Sequence, residues 1–302
     1  MIAQRYSSAF AFGLIEAGFV PGDKLVLYCD QTNSAESLVT QLGSIKAGVS
    51  VVTFDEKDNI EAFDQTLSAS AAKGLILSPS TAAQAGATRL TFLQKLMPEL
   101  SKMYAGDEFS VAKYPNLKLV AQTGHTAVRG VNMYRDLTVY ANPALSSRQI
   151  PENQAAWVTH IAYKGGKQAL SLTSADLVTK SKGLWESSLS KSGDESTPIF
   201  MACDLESPLG FASFLACSAH FKKVFVPGTF NVSQMLHSVP RQGSTLVVCD
   251  ADLAALEMPP AKKSEYQTMC SKVTNVFALG QTVSKSELFP SAKVESKDKY
   301  QF

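Results

Sequence analysis

Residues 13–55 read "GLIEAGFVPGDKLVLYCDQTNSAESLVTQLGSIKAGVSVVTFD", and this stretch decides the fold class. Pro21 and Gly22 make a turn, and the apolar run "KLVLYCD" starts at once. That run is short and unbroken by polar alternation, which predicts a strand buried on both faces. "NSAESLVTQLGSIKAG" follows with helical spacing. Asn33 or Ser34 serves as cap, Glu36 sits in the first turn, and Gly48 falls just past the end. "VSVVTFD" is short and β-branched, so it returns to strand. A strand, a helix-length crossover and a second strand are the ingredients of a parallel pair.

Working outward, the same alternation runs through the chain. "NIEAFDQTLSASAA" reads as helix and "KGLILS" as strand. "LTFLQKLMPELSKM" is helical to about Met97 and resumes after Pro98, because proline disfavours helical geometry in the residue before it. "LKLVAQTG", "TPIFMACD", "KKVFVPG", "STLVVCD" and "VTNVFALG" are further strands, most of them separated by helical segments. The pattern predicts an α/β fold of layered, largely parallel sheets with crossover helices. The polar, proline-bearing section around 141–155, "ANPALSSRQIPENQA", is expected to connect two lobes. The expected division is a first α/β lobe over 1–145, a second over 146–290, and a polar tail over 291–302 that is loose or docked on another body.

Composition excludes several functions. The 302 residues are 45% hydrophobic and 18% charged, which suits a globular chain with a sizeable core. A net charge of +1 provides no global field to draw nucleic acid. No run of about eighteen apolar residues occurs, so membrane association is expected only through partners. Cys29, Cys203, Cys217, Cys249 and Cys270 are widely and irregularly spaced, with no CxxC pair, and read as buried reduced thiols. The four histidines show no zinc spacing. The first ten residues, "MIAQRYSSAF", hold one arginine, two serines and no acid. That is the flavour of a mitochondrial presequence, and equally the start of a helix continuing through "SSAFAFGLIEAG".

The stretch 158–178, "VTHIAYKGGKQALSLTSADLV", is where chemistry would lie. It reads as the end of the strand "AAWVTHIAY", a loop with Gly165, Gly166, Lys164 and Lys167, and a helix from about Ser174. Glycines and lysines between strand and helix suit phosphate. A Walker A loop is excluded, since Gln168 follows Gly166–Lys167 and Ile161 stands at the first glycine position.

Three stretches, in order, resemble the large N-terminal domain of the adenylate-forming enzymes: acyl-CoA synthetases, aryl-CoA ligases and peptide-synthetase adenylation domains. Residues 13–55 are similar to the family's helix, "GxxPGDxV" turn, strand, helix and "lgalkAGaxxvpl", with Pro21, Gly22 and Asp23 in the turn and Lys46, Ala47 and Gly48 at the helix end. Residues 116–141, "NLKLVAQTGHTAVRGVNMYRDLTVYA", look like its strand, short loop and "f.dll" helix. "SLTSADLVTKSKG" with "PIFMACDLESPLGFASFLACSAHFKKVFVPGTFNVSQMLHSV" is similar to the helix after its phosphate loop and the segment beyond. The resemblance covers most of residues 13–239 and continues to "VTNVFALGQTVSKSELF". It implies an acyl-CoA-synthetase-like N-terminal domain.

The same resemblance implies what is missing. The family's phosphate loop reads "YTSGSTGxPKGV". In a gap-free alignment Ile161 and Ala162 fall on its first serine and glycine, and Tyr163 and Lys164 on its serine–threonine pair. Gly165 meets the second-half glycine, Gln168 falls on the lysine, and Ala169 on the glycine after it. The family's "LfHxxG" is here "CDLESPLG", without histidine. The "YGxTE" motif at AMP and magnesium, and the hinge aspartate and catalytic lysine beyond it, have no counterpart in these residues. Adenylation needs a preorganised phosphate cradle with its cations.

Other candidates have simpler readings. His160 ends a strand without a Ser or Cys partner in any nucleophile motif and reads as structural. Gly124 and His125 read as a turn. Asp250 and Asp252 follow "LVVC" at a strand end, where sites in α/β folds lie, but helix capping explains them as well. "AKKSEY" and "HFKKV" read as solvated basic faces. No residue is therefore assigned as catalytic, cofactor-binding or metal-binding, and no cofactor is expected. The expected function is a non-catalytic structural or accessory subunit of a larger, mitochondrial assembly: a respiratory complex, ATP synthase or ribosome. Its partners would be the other protein subunits. The alternatives are an acyl-chain or nucleotide-binding module with a cavity near "GFASFLAC" and "VFALGQ", one half of a split acyl-CoA ligase, and a cytoplasmic location.

Overall fold

The computed structural model describes residues 2–29, 34–54, 59–79, 89–104, 107, 109–140, 142, 150, 154–163, 166–191, 198–226, 246–250, 260–271, 273–279, 286, 289 and 291–297. The chain divides into two units, 1–175 and 176–302.

In the first unit, α1 (Ile2–Glu16) precedes β1 (Lys24–Tyr28), α2 (Ser34–Ala47), β2 (Ser50–Phe54), α3 (Ile60–Ser70) and β3 (Gly74–Leu77). Then come α4 (Arg89–Leu96), a 3-10 turn Pro98–Lys102, β4 (Leu119–Gln122), β5 (Asn132–Met133) and a second 3-10 turn Tyr134–Thr138. β6 (Ala155–Tyr163) and β7 (Gly166–Thr173) complete a seven-stranded sheet in the order β5-β4-β3-β1-β2-β6-β7. Every pairing is parallel except β6 with β7.

Residues alternate across this sheet as a pleated strand requires. Leu25 and Leu27 of β1 join Phe10, Leu14, Ala47 and Ile76 on one face, against α1 and α2. Val26 and Tyr28 join Phe63, Leu67, Leu75, Leu77 and Leu93 on the other, against α3 and α4. The helices change face because the crossover direction reverses: β2 lies on one side of β1 and β3 on the other. Right-handed connections then demand opposite faces. Gly43 lets α1 and α2 approach, since a Cβ there would sit 2.7 Å from the Ser7 carbonyl oxygen and 2.8 Å from Phe10 Cδ1.

The second unit holds most of α5 (Ser174–Ser187), then β8 (Ile199–Ala202), α6 (Pro208–Ala219), β9 (Val224–Phe225), β10 (Leu246–Asp250), α7 (Pro260–Met269), β11 (Asn275–Leu279) and β12 (Lys293–Lys297). Its five strands run parallel in the order β12-β11-β10-β8-β9. β8 and the described side chains of β10 are fully buried, as strands covered on both faces must be.

Two expectations are corrected by strand pairing. The hairpin β6–β7 was assigned to the lobe beginning at 146, but β6 pairs with β2 through Val51↔Trp157 to Phe54↔His160 and so belongs to the first sheet. Lys293–Lys297, in the tail expected to be loose or docked on another body, pairs with β11 from Asn275↔Lys293 to Leu279↔Lys297. Its charged sequence, KVESK, is the composition of a sheet edge.

Candidate functional site

The turn Pro21-Gly22-Asp23 and the helix end Lys46-Ala47-Gly48, separate in sequence, meet in space. The Gly22 amide donates to the Gly48 carbonyl at 2.9 Å. Both glycines have positive φ, 98° and 73°, and a Cβ on Gly48 would lie 3.1 Å from Pro21 Cβ. Asp23 Oδ2 accepts from the Val20 amide at 2.9 Å and from Lys73 Nζ at 2.7 Å. Lys73 also donates to the Gly18 carbonyl at 2.7 Å, with its ammonium 5.2 Å from the Phe19 ring centre. Lys46 Nζ donates to Ser7 Oγ at 2.7 Å and Ser8 Oγ at 3.0 Å, tying α2 to α1, and burial lowers its pKa. These contacts hold the helices to one another and close the turns that lead into β1 and β2.

The stretch 158–178 forms an antiparallel hairpin running into α5. The strand over Ala155–Tyr163 and the helix start at Ser174 stand as expected. The expected loop is corrected: residues 166–173 are β7, paired from Ala155↔Thr173 out to His160↔Ala169, Ile161↔Gln168, Ala162↔Lys167 and Tyr163↔Gly166. Only Lys164 and Gly165 separate the strands, and they lie outside the described residues. Sequence reasoning missed the second strand because lysine, glycine and glutamine are poor strand formers. The signal available was the alternation in "ALSLT".

The segment 203–210, "CDLESPLG", forms the capping turn of α6. Ser207 is the N-cap of α6: its Oγ accepts from the Gly210 amide at 3.1 Å and donates to the Asp204 carbonyl at 2.7 Å. Asp204 Oδ1 accepts from the Glu206 amide at 2.9 Å, and Pro208 occupies the first turn. The Ser-Pro pair before an apolar run was the sequence signal for this cap.

The remaining candidates separate. Gly124 packs against Pro79, where a Cβ would lie 2.7 Å from Cγ, and the Gln122 amide closes the bend on the Thr126 carbonyl. His125 is exposed on that bend. His160 lies within β6. Asp250 ends β10 opposite Leu279, and Asp252 lies outside the described residues. All five cysteines are buried and none is in a disulfide, and burial pushes the Cys217 and Cys270 thiols up to about 12. Among the described residues no group of three or more His, Cys, Asp or Glu could hold a metal ion. No described helix is long and apolar enough to cross a membrane.

Two features escaped sequence reading. The first sheet contains the strand order 2-1-3-4-5, whose crossover reversal lies between β1 and β3; ligands of doubly wound sheets bind outside the carboxyl ends there. Arg89 occupies that position, 3% exposed. Its guanidinium lies 4.6 Å from the Tyr28 ring centre and bonds Ser78 Oγ. The second is an open groove of about 590 Å³ beside α4, floored by Leu93, Met97 and Leu100 and flanked by Leu90, Val128 and Arg129.

No protein-family profile matches the chain, and no curated protein matches it by sequence. Solved structures do match by fold. An acyl-CoA synthetase from Brucella canis superposes with TM-score 0.72 at 13% identity, covering 98% of this chain and 51% of that one. The amide bond synthetase McbA from Marinactinospora thermotolerans gives 0.64 at 17% identity, covering 91% and 48%. O-succinylbenzoate coenzyme A synthetase (MenE) from Bacillus subtilis, in complex with AMP, gives 0.60 at 13% identity, covering 91% and 60%. The chain thus has the acyl-CoA-synthetase-like fold and spans about half the length of these structures.

Proposed function

We propose that this chain is a non-catalytic form of the adenylate-forming fold, serving as a structural or accessory subunit of a larger protein assembly. One observation carries the reading. Where the fold's ligases are expected to have a glycine- and hydroxyl-rich phosphate loop, β6 and β7 are paired out to Tyr163↔Gly166, leaving two residues between them. A phosphate cradle needs several consecutive amides outside a sheet and hydroxyls or cations converging on one point. Two residues, a lysine and a glycine, supply neither hydroxyls nor length. The capped turn at 203–210 supports the same reading, since the Asp204 carboxylate is used on the turn's own backbone.

The assembly we propose is mitochondrial: a respiratory complex, ATP synthase or ribosome. This placement draws on the composition of residues 1–10 alone, and α1 uses those residues to cover the sheet, with Phe10 buried and stacked on Tyr134 at 5.3 Å. Tagging the chain in its native cell, fractionating, and purifying under native conditions tests both parts. Stoichiometric protein partners in the mitochondrial fraction are expected, with the isolated chain melting lower than the assembled one. A monomer that is equally stable alone sinks the proposal.

The groove beside α4 favours a second reading, a binding module for a small apolar molecule, because its volume lies in the ligand range of roughly 300–1,000 Å³. Solvent extraction of the natively purified chain would reveal such a molecule at stoichiometric amount.

A further inference from the structure

The last turn of α6 carries an outlier. The Lys222 amide donates to the Cys217 carbonyl at 3.0 Å and the Phe221 amide to the Ser218 carbonyl at 3.2 Å. This pair of bonds is a Schellman cap, in which the residue at Phe221's position is left-handed and is normally glycine. Phe221 adopts it with φ 54°. A bulky side chain is strained there, and burial does not compensate, because Phe221 is 94% exposed. Strain kept at an exposed aromatic points to a role for the ring outside the fold.

Its surroundings define the chemistry. Lys222 and the exposed Lys223 follow directly. His220 precedes it and stacks on Trp185 of α5, ring centres 4.0 Å apart at 9°, so the corner rests on a second aromatic. The acid beside Trp185, Glu186, is 4.0 Å from Lys182. Lysine is depleted from protein–protein interfaces, whereas an apolar ring beside lysines and an indole is the combination that settles at the boundary of an anionic bilayer. We propose that the corner His220–Lys223 is a peripheral contact with an anionic lipid surface, Phe221 entering the headgroup boundary while Lys222 and Lys223 meet the headgroups. This departs from the expectation that membrane association runs only through partners.

Burying one phenyl ring favours the bound state about thirtyfold, and each lysine about fivefold. The product, divided by the roughly 55 M concentration of water, places half-binding at tens of millimolar accessible lipid. The contact is weak and reversible, and suits a chain also held by other means.

Flotation of the purified full chain with vesicles tests it. The wild-type chain is expected to float with mixed phosphatidylserine–phosphatidylcholine vesicles at tens of millimolar lipid, less so as salt rises, and not with phosphatidylcholine alone. Phe221→Gly relieves the strain, so it should melt a few degrees higher while binding about tenfold or more weakly. Lys223→Glu should leave the melting temperature unchanged and weaken binding by more than about tenfold. Flotation that ignores lipid charge, no flotation at all, wild-type binding by Phe221→Gly, or a lower melting temperature for that variant would each overturn the proposal.

Discussion

The corner formed by residues 18–23 and 46–48 and the hairpin tip at 163–166 are two parts of the chain that resemble the same fold family, and they differ in what that family asks of them. At the corner, positive-φ glycines, the Asp23–Lys73 pair and the Gly22–Gly48 bond close the turns that lead into β1 and β2. At the hairpin, the family's residues would hold phosphate, and here the strands run together with two residues between them. The corner keeps its packing residues, and the function proposed above takes the hairpin to have lost its chemical ones. Fold and function are separable because they rest on different side chains.

This contrast can be broken by substitution. The largest effect is expected at Gly43→Val, whose side chain would drive into the Ser7 carbonyl and the Phe10 ring. We expect a loss of about 3 kcal/mol or more, read as a fall in denaturant midpoint. A loss under about 1 kcal/mol would mean α1 is not held against α2 as described. Next is Asp23→Ala, which removes the acceptor for the Val20 amide and Lys73. Roughly 1–2 kcal/mol is expected by chemical denaturation, with Lys73→Met costing less, since Asp23 keeps its backbone donor.

The Asp64–Lys113 pair, 2.7 Å apart and partly exposed, should matter less. Burial pushes the Asp64 pKa up, but hydrogen bonds from Lys113 and Tyr114 outweigh it and set the folded value below 3.8. A depressed carboxylate stabilises the fold above its unfolded pKa, and that contribution fades as pH falls through the lower folded value. Asp64→Asn should therefore cost up to about 1 kcal/mol at neutral pH, with the gap to wild type closing below pH 3.8. A gap that widens with acid would contradict the assignment. The smallest effect belongs to the hairpin tip. Inserting Gly-Ser-Thr-Gly between Lys164 and Gly165 should cost about 1 kcal/mol or less, because loop entropy grows slowly with length. A severe loss there would show that the tip has a packing role after all.

How much was legible follows the same division. The run at Leu25–Leu27, the helix start at Ser34 and the break at Met97 before Pro98 were readable, because turn, cap and proline rules are local. β7 was hidden because Gly166–Gln168 lacks strand propensity, and its pairing with β6 decides it instead. β12 was hidden because its charges mimic a loose tail, while its partner is β11. Arg89 was unreadable as a core residue, because burying a guanidinium depends on Tyr28 and Ser78, remote in sequence. No sequence rule anticipates a phenylalanine at the Phe221 cap.

The central claim is that the paired hairpin holds no nucleotide. Its most direct test is calorimetric titration of ATP and AMP, with and without magnesium, into the purified chain and into Gln168→Lys as control. The account predicts no heat and no thermal shift at millimolar nucleotide for either protein. Saturable binding tighter than about 100 μM, near −5.5 kcal/mol, would contradict it and make the hairpin a working site.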